Sequence, residues 1–433
     1  MSVGLIIAAP TSGAGKTTVT LGLLAALRAT GAAVRGAKSG PDYIDPRFHE
    51  AATGAPCPNL DAWAMQPDRI RALAADGEGL LVVEGAMGLF DGAPPDGRGA
   101  TADLARILGI PVVLVVDCAA MAQSVAPLVR GFAEFDPMVK IVGVILNRVG
   151  TPRHEAMLRR AMRATHIPVL GAIPRAAEVA LPSRHLGLVQ AAEQEDIRAF
   201  LDRVGGLVGA HVDLGALASV AHPIPFAVTG PRISPPAQRI AIARDEAFAF
   251  TYPHMLNDWR QAGAEISFFS PLADEAPDPA AEFVVLPGGY PELHAGRIAG
   301  ATTFRAGMAR AAQEALIYGE CGGYMVLGQG LVDATGARHP MLGLLNLETS
   351  FRDRRLHLGY RRLTPKGGPF AGTLLGHEFH YATTVRARGE PLFAAEDAEG
   401  NALPDMGLRE GRVAGSFAHV IDGEIRRRTR KAA

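Results

Sequence analysis

Cysteine is scarce. Only Cys57, Cys118 and Cys321 occur in 433 residues, with no paired spacing, which argues against a disulfide framework or a cysteine zinc site and fits a reducing cytoplasm. Net charge is almost missing too: 43 Lys and Arg stand against 44 Asp and Glu, for a formal net charge of -1. A chain without a one-signed field has no global attraction for nucleic acid or an anionic membrane, so binding must rest on local sites. Long apolar runs are absent. The run Ile110 to Val116 stops at Asp117, far short of the ~20 helical residues that cross a bilayer, and no membrane segment is expected. Met1 to Pro10 lacks a basic leading region and a small-residue cleavage site, and reads as a first strand rather than a signal peptide. No internal repeat, coiled coil or low-complexity tract is evident.

What is present is apolar substance for large cores, 48% of residues against 20% charged, in a chain too long for one ordinary core. The first half alternates short apolar runs with longer amphipathic stretches: Gly4 to Ala8, Leu80 to Glu84, Pro111 to Asp117, Lys140 to Leu146 and Pro168 to Ala172. That rhythm predicts a parallel sheet covered on both faces by helices, with ligands at the carboxyl ends of its strands. Between about Ala221 and Pro236 the pattern dissolves into His-Pro, Ile-Pro, Gly-Pro and Pro-Pro steps, as in an inter-domain linker. Strand-like runs resume with Ile240 to Ala243, Glu265 to Phe269, Phe283 to Leu286 and Ala315 to Tyr318, predicting a second α/β domain. The expected division is 1–225, a linker over 226–238, and 239–433. The basic tail Arg426 to Lys431 reads as a solvated terminus.

The segment from Ala9 through Gly13, Gly15, Lys16, Thr17 and Thr18 follows a strand and opens a helix, the context of a P-loop, although Pro10 stands where the first glycine of that motif is usual. Backbone N–H groups would cradle the phosphates of ATP, Lys16 would neutralise β and γ oxygens, and the Thr17 hydroxyl would bind Mg²⁺. Lys38-Ser39-Gly40-Pro41-Asp42-Tyr43-Ile44-Asp45-Pro46 sets two carboxylates in a rigid turn, suited either to a cation or to local backbone capping. Glu84, ending the strand Leu81-Val82-Val83-Glu84, stands where an acidic residue completes a metal shell in many P-loop enzymes, and Asp91 follows on a glycine-rich loop. Thr17, Asp45 and Glu84 are the expected metal ligands. Asn147-Arg148 is expected either to contact adenine or to form a solvent-facing turn.

In the second half, Ala315-Leu316-Ile317-Tyr318-Gly319-Glu320-Cys321-Gly322-Gly323-Tyr324 has the form of a strand, a glycine-flanked cysteine and a helix. This pattern predicts a nucleophile elbow that exposes the sulfur and lets the helix N-terminus lower the thiol pKa. Cys57 and Cys118 are expected as inert core. A thiol nucleophile needs a base, for which His419 is the candidate and His377 and His380 are competitors. Gly289, in Leu286-Pro287-Gly288-Gly289-Tyr290, lies on a second glycine turn suited, with the Gly322 N–H, to holding an oxyanion.

Taken together, the chain resembles the cobyrinic and hydrogenobyrinic acid a,c-diamide synthase family over nearly its whole length. The carriers are Pro41 to Pro46, Val83 to Gly92, Arg184 to Leu188, Ala243 to Phe248, Gly288 to His294 and Gly319 to Gly323. The resemblance implies a dethiobiotin-synthetase-like ATP domain fused to a class I glutamine amidotransferase domain. It implies L-glutamine, ATP and a corrinoid polyacid as substrates, Mg²⁺, cytoplasmic location, and neither nucleic acid nor membrane as partner; a homodimer is compatible with it. Cys321 would free ammonia from glutamine with His419 as base and acid. ATP would convert the c and a acetate carboxylates to acyl phosphates near Asp42, Tyr43, Asp45, Glu84 and Asp91, with Asn147 beside the nucleotide.

One departure concerns the base. Ordinary class I glutaminases carry a carboxylate two residues after the catalytic histidine; here that residue is Ile421, which implies a Cys-His dyad. Rival readings are amidation of nickel-sirohydrochlorin or of a later corrinoid, a ParA- or MinD-like ATPase switch, and a dethiobiotin-type carboxylating ligase. The switch usually carries a lysine where this P-loop has Thr11, and it leaves the cysteine elbow without a role. The Arg-rich stretch Phe351 to Arg362 is read either as a partner for ring carboxylates or as a solvated face.

Overall fold

A computed structural model describes residues 2–176, 183–184, 187–188, 196–225 and 233–423. Of the segment Arg184 to Leu188 only part of the backbone is included, and residues 226–232 of the linker and the tail Arg426 to Lys431 lie outside the described residues. The chain divides into two compact units, Met1–Gly230 and Pro231–Ala433. No described helix is long and apolar enough to cross a membrane.

The first unit is built on β1 (Val3–Ala8), α1 (Lys16–Ala29), β2 (Val34–Ser39), α2 (Asp45–Thr53), β3 (Asn59–Leu60), α3 (Pro67–Ala75), β4 (Leu80–Glu84) and α4 (Thr101–Leu108). It continues through β5 (Val112–Asp117), α5 (Val125–Phe135), β6 (Ile141–Val149), α6 (Pro152–Met162), β7 (Val169–Pro174), the two-residue pair β8 (Ser183–Arg184) and β9 (Gly187–Leu188), α7 (Ile197–His211), α8 (Leu214–Ser219) and β10 (His222–Pro223). The sheet runs β3-β2-β4-β1-β5-β6-β7, all parallel, with β10 antiparallel to β1. Its central strands are buried along their length because helices cover both faces, so Leu80-Leu81-Val82-Val83 can be apolar throughout. One helix pair packs closely: a Cβ on Gly22 of α1 would lie 2.3 Å from the Val208 side chain of α7.

The second unit opens with β11 (Arg239–Ala243), α9 (Pro253–Gln261), β12 (Glu265–Phe269), β13 (Phe283–Leu286), α10 (Ala295–Gly300), α11 (Thr302–Glu314), β14 (Leu316–Glu320) and α12 (Gly322–Leu327). Strands β11 to β14 are parallel in the order β12-β11-β13-β14. Alternate residues of β11 feed two cores: Ala241 and Ala243 face Leu286 and Phe304, whereas Ile240 and Ile242 face Trp259 and Phe283.

The sequence reading identified none of the strands that follow: β15 (Gly330–Val332), β16 (Arg338–Pro340), β17 (Leu347–Ser350), β18 (His357–Pro365), β19 (Leu374–His380), β20 (Thr383–Ala387), β21 (Phe393–Glu396) and β22 (Ala402–Met406). Last come β23 (Leu408–Glu410), β24 (Val413–Ser416) and β25 (His419–Gly423). β24 joins the parallel sheet beside β14 with β23 antiparallel at its edge, while β22-β21-β18-β19-β25 form an antiparallel sheet. Some of these strands are half-exposed and charged, as in His357-Leu-Gly-Tyr-Arg-Arg, and the buried ones are short or interrupted by glycine, histidine and serine, as in Leu374-Leu-Gly-His-Glu-Phe-His and Val413-Ala-Gly-Ser, so their apolar signal is weak. The Arg-rich stretch divides: Arg352, Arg354 and Arg355 are exposed ahead of β18, as a solvated face would be, whereas Arg361, within β18, pairs with Glu378 of β19 at 2.7 Å.

Candidate functional site

In the first unit the loop from β1 to α1 brings its glycines into left-handed backbone, Gly13 at φ 78° and Gly15 at φ 89°, and a Cβ on Gly15 would strike the Asn147 amide at 2.3 Å. That amide donates to Ala14 O at 2.9 Å, so Asn147 is a buried strut of the loop and not a solvent-facing turn. Arg148, by contrast, is exposed and pairs with Asp117 at 2.6 Å. The Lys16 ammonium donates to Thr11 O and to Met87 O. Its pKa is lowered by burial and by the like charge of Lys38, against the pull of Glu84, Asp45 and Asp91. Thr18 follows Thr17 in the first turn of α1.

Thr17 Oγ1 donates to Glu84 Oε1 at 2.6 Å. Glu84, fully buried, also accepts from Lys38 Nζ at 2.8 Å and meets His49 Nε2 at 2.7 Å. Lys38 Nζ donates as well to Asp45 Oδ2 at 2.6 Å. Burial works against the charge on Lys38, yet Asp45, Glu84 and Asp42 hold the ammonium firmly protonated. Burial likewise raises Glu84, but Lys38 and His49 outweigh it and keep the carboxylate ionised, whereas burial and Asp42 push Asp45 upward. Buried pairs of this type persist because each charge is answered.

Asp42 caps its own turn, accepting from Ile44 N at 2.7 Å and Asp45 N at 3.2 Å, beside buried Tyr43. Asp91 Oδ2 accepts from Gly88 N at 3.0 Å. The two lysines thus gather the carboxylates that the sequence singled out. Lys38 and His49 are functional residues that motif reasoning misses: Lys38 lies in the segment Lys38 to Pro46, but only the parallel register Lys38↔Glu84 gives it a role.

In the second unit, β14 ends at Glu320 and Cys321 turns sharply, at φ 44° and ψ −101°, into α12. A non-glycine residue here is strained, as befits a nucleophile elbow. The Cys321 N–H donates to Ser416 O at 2.8 Å, and a Cβ on Gly323 would lie only 1.8 Å from Leu286 O, so the elbow is wedged against β13. Gly322 and Gly289 face each other, a Cβ on Gly322 falling 3.0 Å from Gly289 N.

Two expectations for the thiol need correction. The sulfur is not displayed: Cys321 is 3% exposed. Nor is its pKa lowered; burial and the charge of Glu292 push the thiol well above its usual range, with Glu320 and Glu378 adding to this and the Gly322 N–H opposing. A six-residue helix offers too little dipole to overcome three carboxylates and burial. Cys57 and Cys118 are fully buried, with thiols pushed up chiefly by burial.

His419 opens β25, separated from β24 by two residues, and is 2% exposed. Its ring lies where a Cβ on Gly288 would stand, 2.3 Å from Cε1, which brings the histidine to the glycine turn after β13. Its Nδ1 is 3.7 Å from Glu320 Oε2. His377, opposite it in register, contacts it ring to ring at 5.1 Å and is held neutral by burial and by His419 and Arg361. His380 is stacked between His357 at 4.7 Å and Phe417 at 3.9 Å, with Nε2 3.3 Å from Glu378. The topology thus brings His419 to the glycine turn at the carboxyl end of β13, beside the elbow at the carboxyl end of β14.

One family model matches within each unit. Residues 5–189 match the CobQ/CobB/MinD/ParA nucleotide binding domain, and residues 239–424 match the CobB/CobQ-like glutamine amidotransferase domain. The chain is 56% identical to hydrogenobyrinate a,c-diamide synthase of Brucella anthropi, over 97% of this chain and 98% of that one. It is 55% identical to the protein of that name from Rhizobium meliloti and 54% identical to that from Rhodobacter capsulatus, each over 97% of this chain and 99% of the relative. With a nucleotide-binding unit and a glutamine amidotransferase unit matched in order over essentially its full length, the chain belongs to the hydrogenobyrinate a,c-diamide synthase family.

Proposed function

We propose that the chain converts the a and c acetate carboxylates of hydrogenobyrinic acid to amides in cobalamin biosynthesis, with ATP and L-glutamine. One observation carries the reading: a P-loop facing a lysine–carboxylate cluster and a cysteine elbow beside a histidine occur in a single chain. Residues 1–225 form the ATP-dependent part and 239–433 the glutaminase, joined by 226–238.

In the second unit, the Cys321 sulfur attacks the side-chain amide carbon of glutamine while His419 takes the thiol proton. His419 then gives a proton to the departing nitrogen, the C–N bond breaks, and ammonia leaves a glutamyl thioester that water hydrolyses to glutamate. The N–H groups of Gly289 and Gly322 hold the oxyanion. A thiol kept protonated at rest is deprotonated only as substrate arrives, which limits idle reaction with water or oxidants.

In the first unit, a carboxylate is a poor electrophile, so its oxygen first attacks the γ-phosphorus of ATP and ADP departs. Ammonia then attacks the acyl carbon and phosphate leaves. Gly13, Gly15 and the N-terminus of α1 bind phosphate, with Thr18 on the same turn, while Asn147 braces the loop beside the nucleotide. Lys16 exchanges the carbonyls of Thr11 and Met87 for phosphate oxygens. Lys38 keeps Asp45 and Glu84 in place, and Asp42, Tyr43, Asp45 and Asp91 line the acyl-phosphate site. The Thr17 hydroxyl and Glu84 carboxylate, in contact at 2.6 Å, are hard oxygen donors that fit Mg²⁺, with Asp45 a third. Bound there, the ion would neutralise phosphate charge.

The test is product mass spectrometry after incubation with ATP, Mg²⁺, glutamine and hydrogenobyrinic or cobyrinic acid. Two successive exchanges of OH for NH₂ on the metal-free ring, with ADP and glutamate formed, are expected. Absence of glutamate and ADP with every tetrapyrrole polyacid, nickel-sirohydrochlorin included, would end the proposal. The reaction belongs in the cytoplasm on this reading, and sedimentation of the purified chain tests the homodimer.

A further inference from the structure

The base in the second unit is incomplete as a sequence motif. Where class I glutaminases place a carboxylate, two residues beyond the histidine, this chain has Ile421, which is fully buried and cannot carry charge. An imidazole without an acidic neighbour is free to sit in the wrong tautomer and gains nothing for its charged form during proton transfer.

The fold supplies a carboxylate from elsewhere. Glu320 immediately precedes the nucleophile, and its two oxygens are divided between tasks. Oε1 accepts from the Val420 N–H at 3.1 Å, tying the end of β14 to the residue after His419. Oε2 stands 3.7 Å from His419 Nδ1. Glu320 is 9% exposed and His419 2%, so little solvent screens the pair. Of the three carboxylates whose charge reaches Cys321, namely Glu292, Glu320 and Glu378, Glu320 is the one that ends β14 at the elbow and is paired with His419. Glu378 is instead held by Arg361 and His380. The 3.7 Å gap is an ion-pair separation that a small side-chain rotation closes, and catalytic hydrogen bonds are commonly long before substrate binds.

We propose that Glu320 is the positioning residue of the glutaminase, taking the place of the carboxylate that Ile421 lacks and converting a Cys-His pair into a Cys-His-Glu arrangement. Glu320 accepts the Nδ1 proton of His419. The Nε2 lone pair is thereby directed at the thiol, and the imidazolium formed when the proton leaves sulfur is stabilised until it passes to the departing ammonia. The inference rests on the assignment of Cys321 and His419 to glutamine hydrolysis. Its unusual element is the order along the chain: acid and nucleophile are adjacent, and the base arrives from a strand about a hundred residues on, so the acid is found from the histidine only through the pairing of β14 with β24.

The experiment uses the full chain with Glu320→Gln, an isosteric change whose amide oxygen still accepts from Val420 N–H but which carries no charge. The turnover number for glutamate release should fall about 100-fold with KM for glutamine unchanged. Ammonium-supported amidation and the thermal midpoint should match the parent chain, and Glu320→Asp should recover part of the turnover. Wild-type turnover in Glu320→Gln overturns the proposal. So does a loss accompanied by a lower thermal midpoint, because that identifies Glu320 as a fold residue. Cys321→Ala, run in parallel, isolates the underlying assignment: continued glutamate release from that variant would remove the glutaminase reading itself, whatever Glu320 does.

Discussion

The two units hold their reactive groups by different means. In the first, charges hold charges: Lys38 joins Asp45 and Glu84, and Glu84 in turn holds Thr17 and His49. In the second, shape dominates: a strained cysteine is wedged between glycines whose missing side chains admit Leu286 O, Gly289 N and the His419 ring. The difference follows from the chemistry each supports. Phosphoryl transfer is mostly a problem of stabilising anionic oxygens, which an array of paired charges can accommodate. Attack by sulfur on an amide needs atoms placed within tenths of an ångström, which close packing enforces.

The largest effect that would break this comparison comes from the nucleophile. Cys321→Ala should remove glutamine-supported amidation by about 10⁴-fold or more, while ammonium salts still support product formation, measured as ADP and amide release. Loss of both activities would mean that the units do not divide the labour. Next, Glu84→Gln and Lys16→Ala should each lower amidation about 10³-fold with either nitrogen source while glutamate release continues, as assayed by separate glutamate and ADP measurements. A matching loss of glutaminase turnover would show that charge in the first unit also governs the second.

The contrast in packing can be sharpened with two glycines. Gly323→Ala puts a methyl group 1.8 Å from Leu286 O and should cost about 3 kcal/mol by thermal or denaturant unfolding. Gly13→Ala meets nothing within 4 Å and should cost only about 1 kcal/mol, the strain of its positive φ. Equal costs would contradict a second unit held by shape.

The smallest effect is a pH dependence. His377 has its pKa held well below the ordinary 6.5, chiefly by burial and then by His419 and Arg361. The unfolded chain therefore binds a proton there that the folded chain refuses, and stability present above pH 6.5 is lost as pH falls below it. His377→Asn should flatten that slope in melts between neutral and mildly acid pH, and an unchanged slope would assign it to other groups.

The sequence was most informative where one local feature was sufficient. The strands Leu80–Glu84 and Phe283–Leu286 stand at the expected residues, because a strand buried on both faces must be apolar throughout. Glycine spacing around Lys16 and Cys321 was equally legible, since tight turns and close backbone approach leave few alternatives. The strands from β15 onward were not legible: short strands interrupted by glycines, histidines and charges, such as β18, β19 and β24, resemble loops when read alone.

Reactive residue types in their local motifs were thus determined by the sequence alone, along with the α/β alternation and the match in order to one family. Tertiary structure decided which charges meet. The register of β2 against β4 sets Lys38 opposite Glu84, the pairing of β19 with β25 sets His377 opposite His419, and burial holds the Cys321 thiol protonated where its motif suggested a thiolate. The physical reason is range: turn geometry and apolar periodicity are short-range properties written in neighbouring residues, whereas an ion pair or a pKa depends on everything within several ångströms in space.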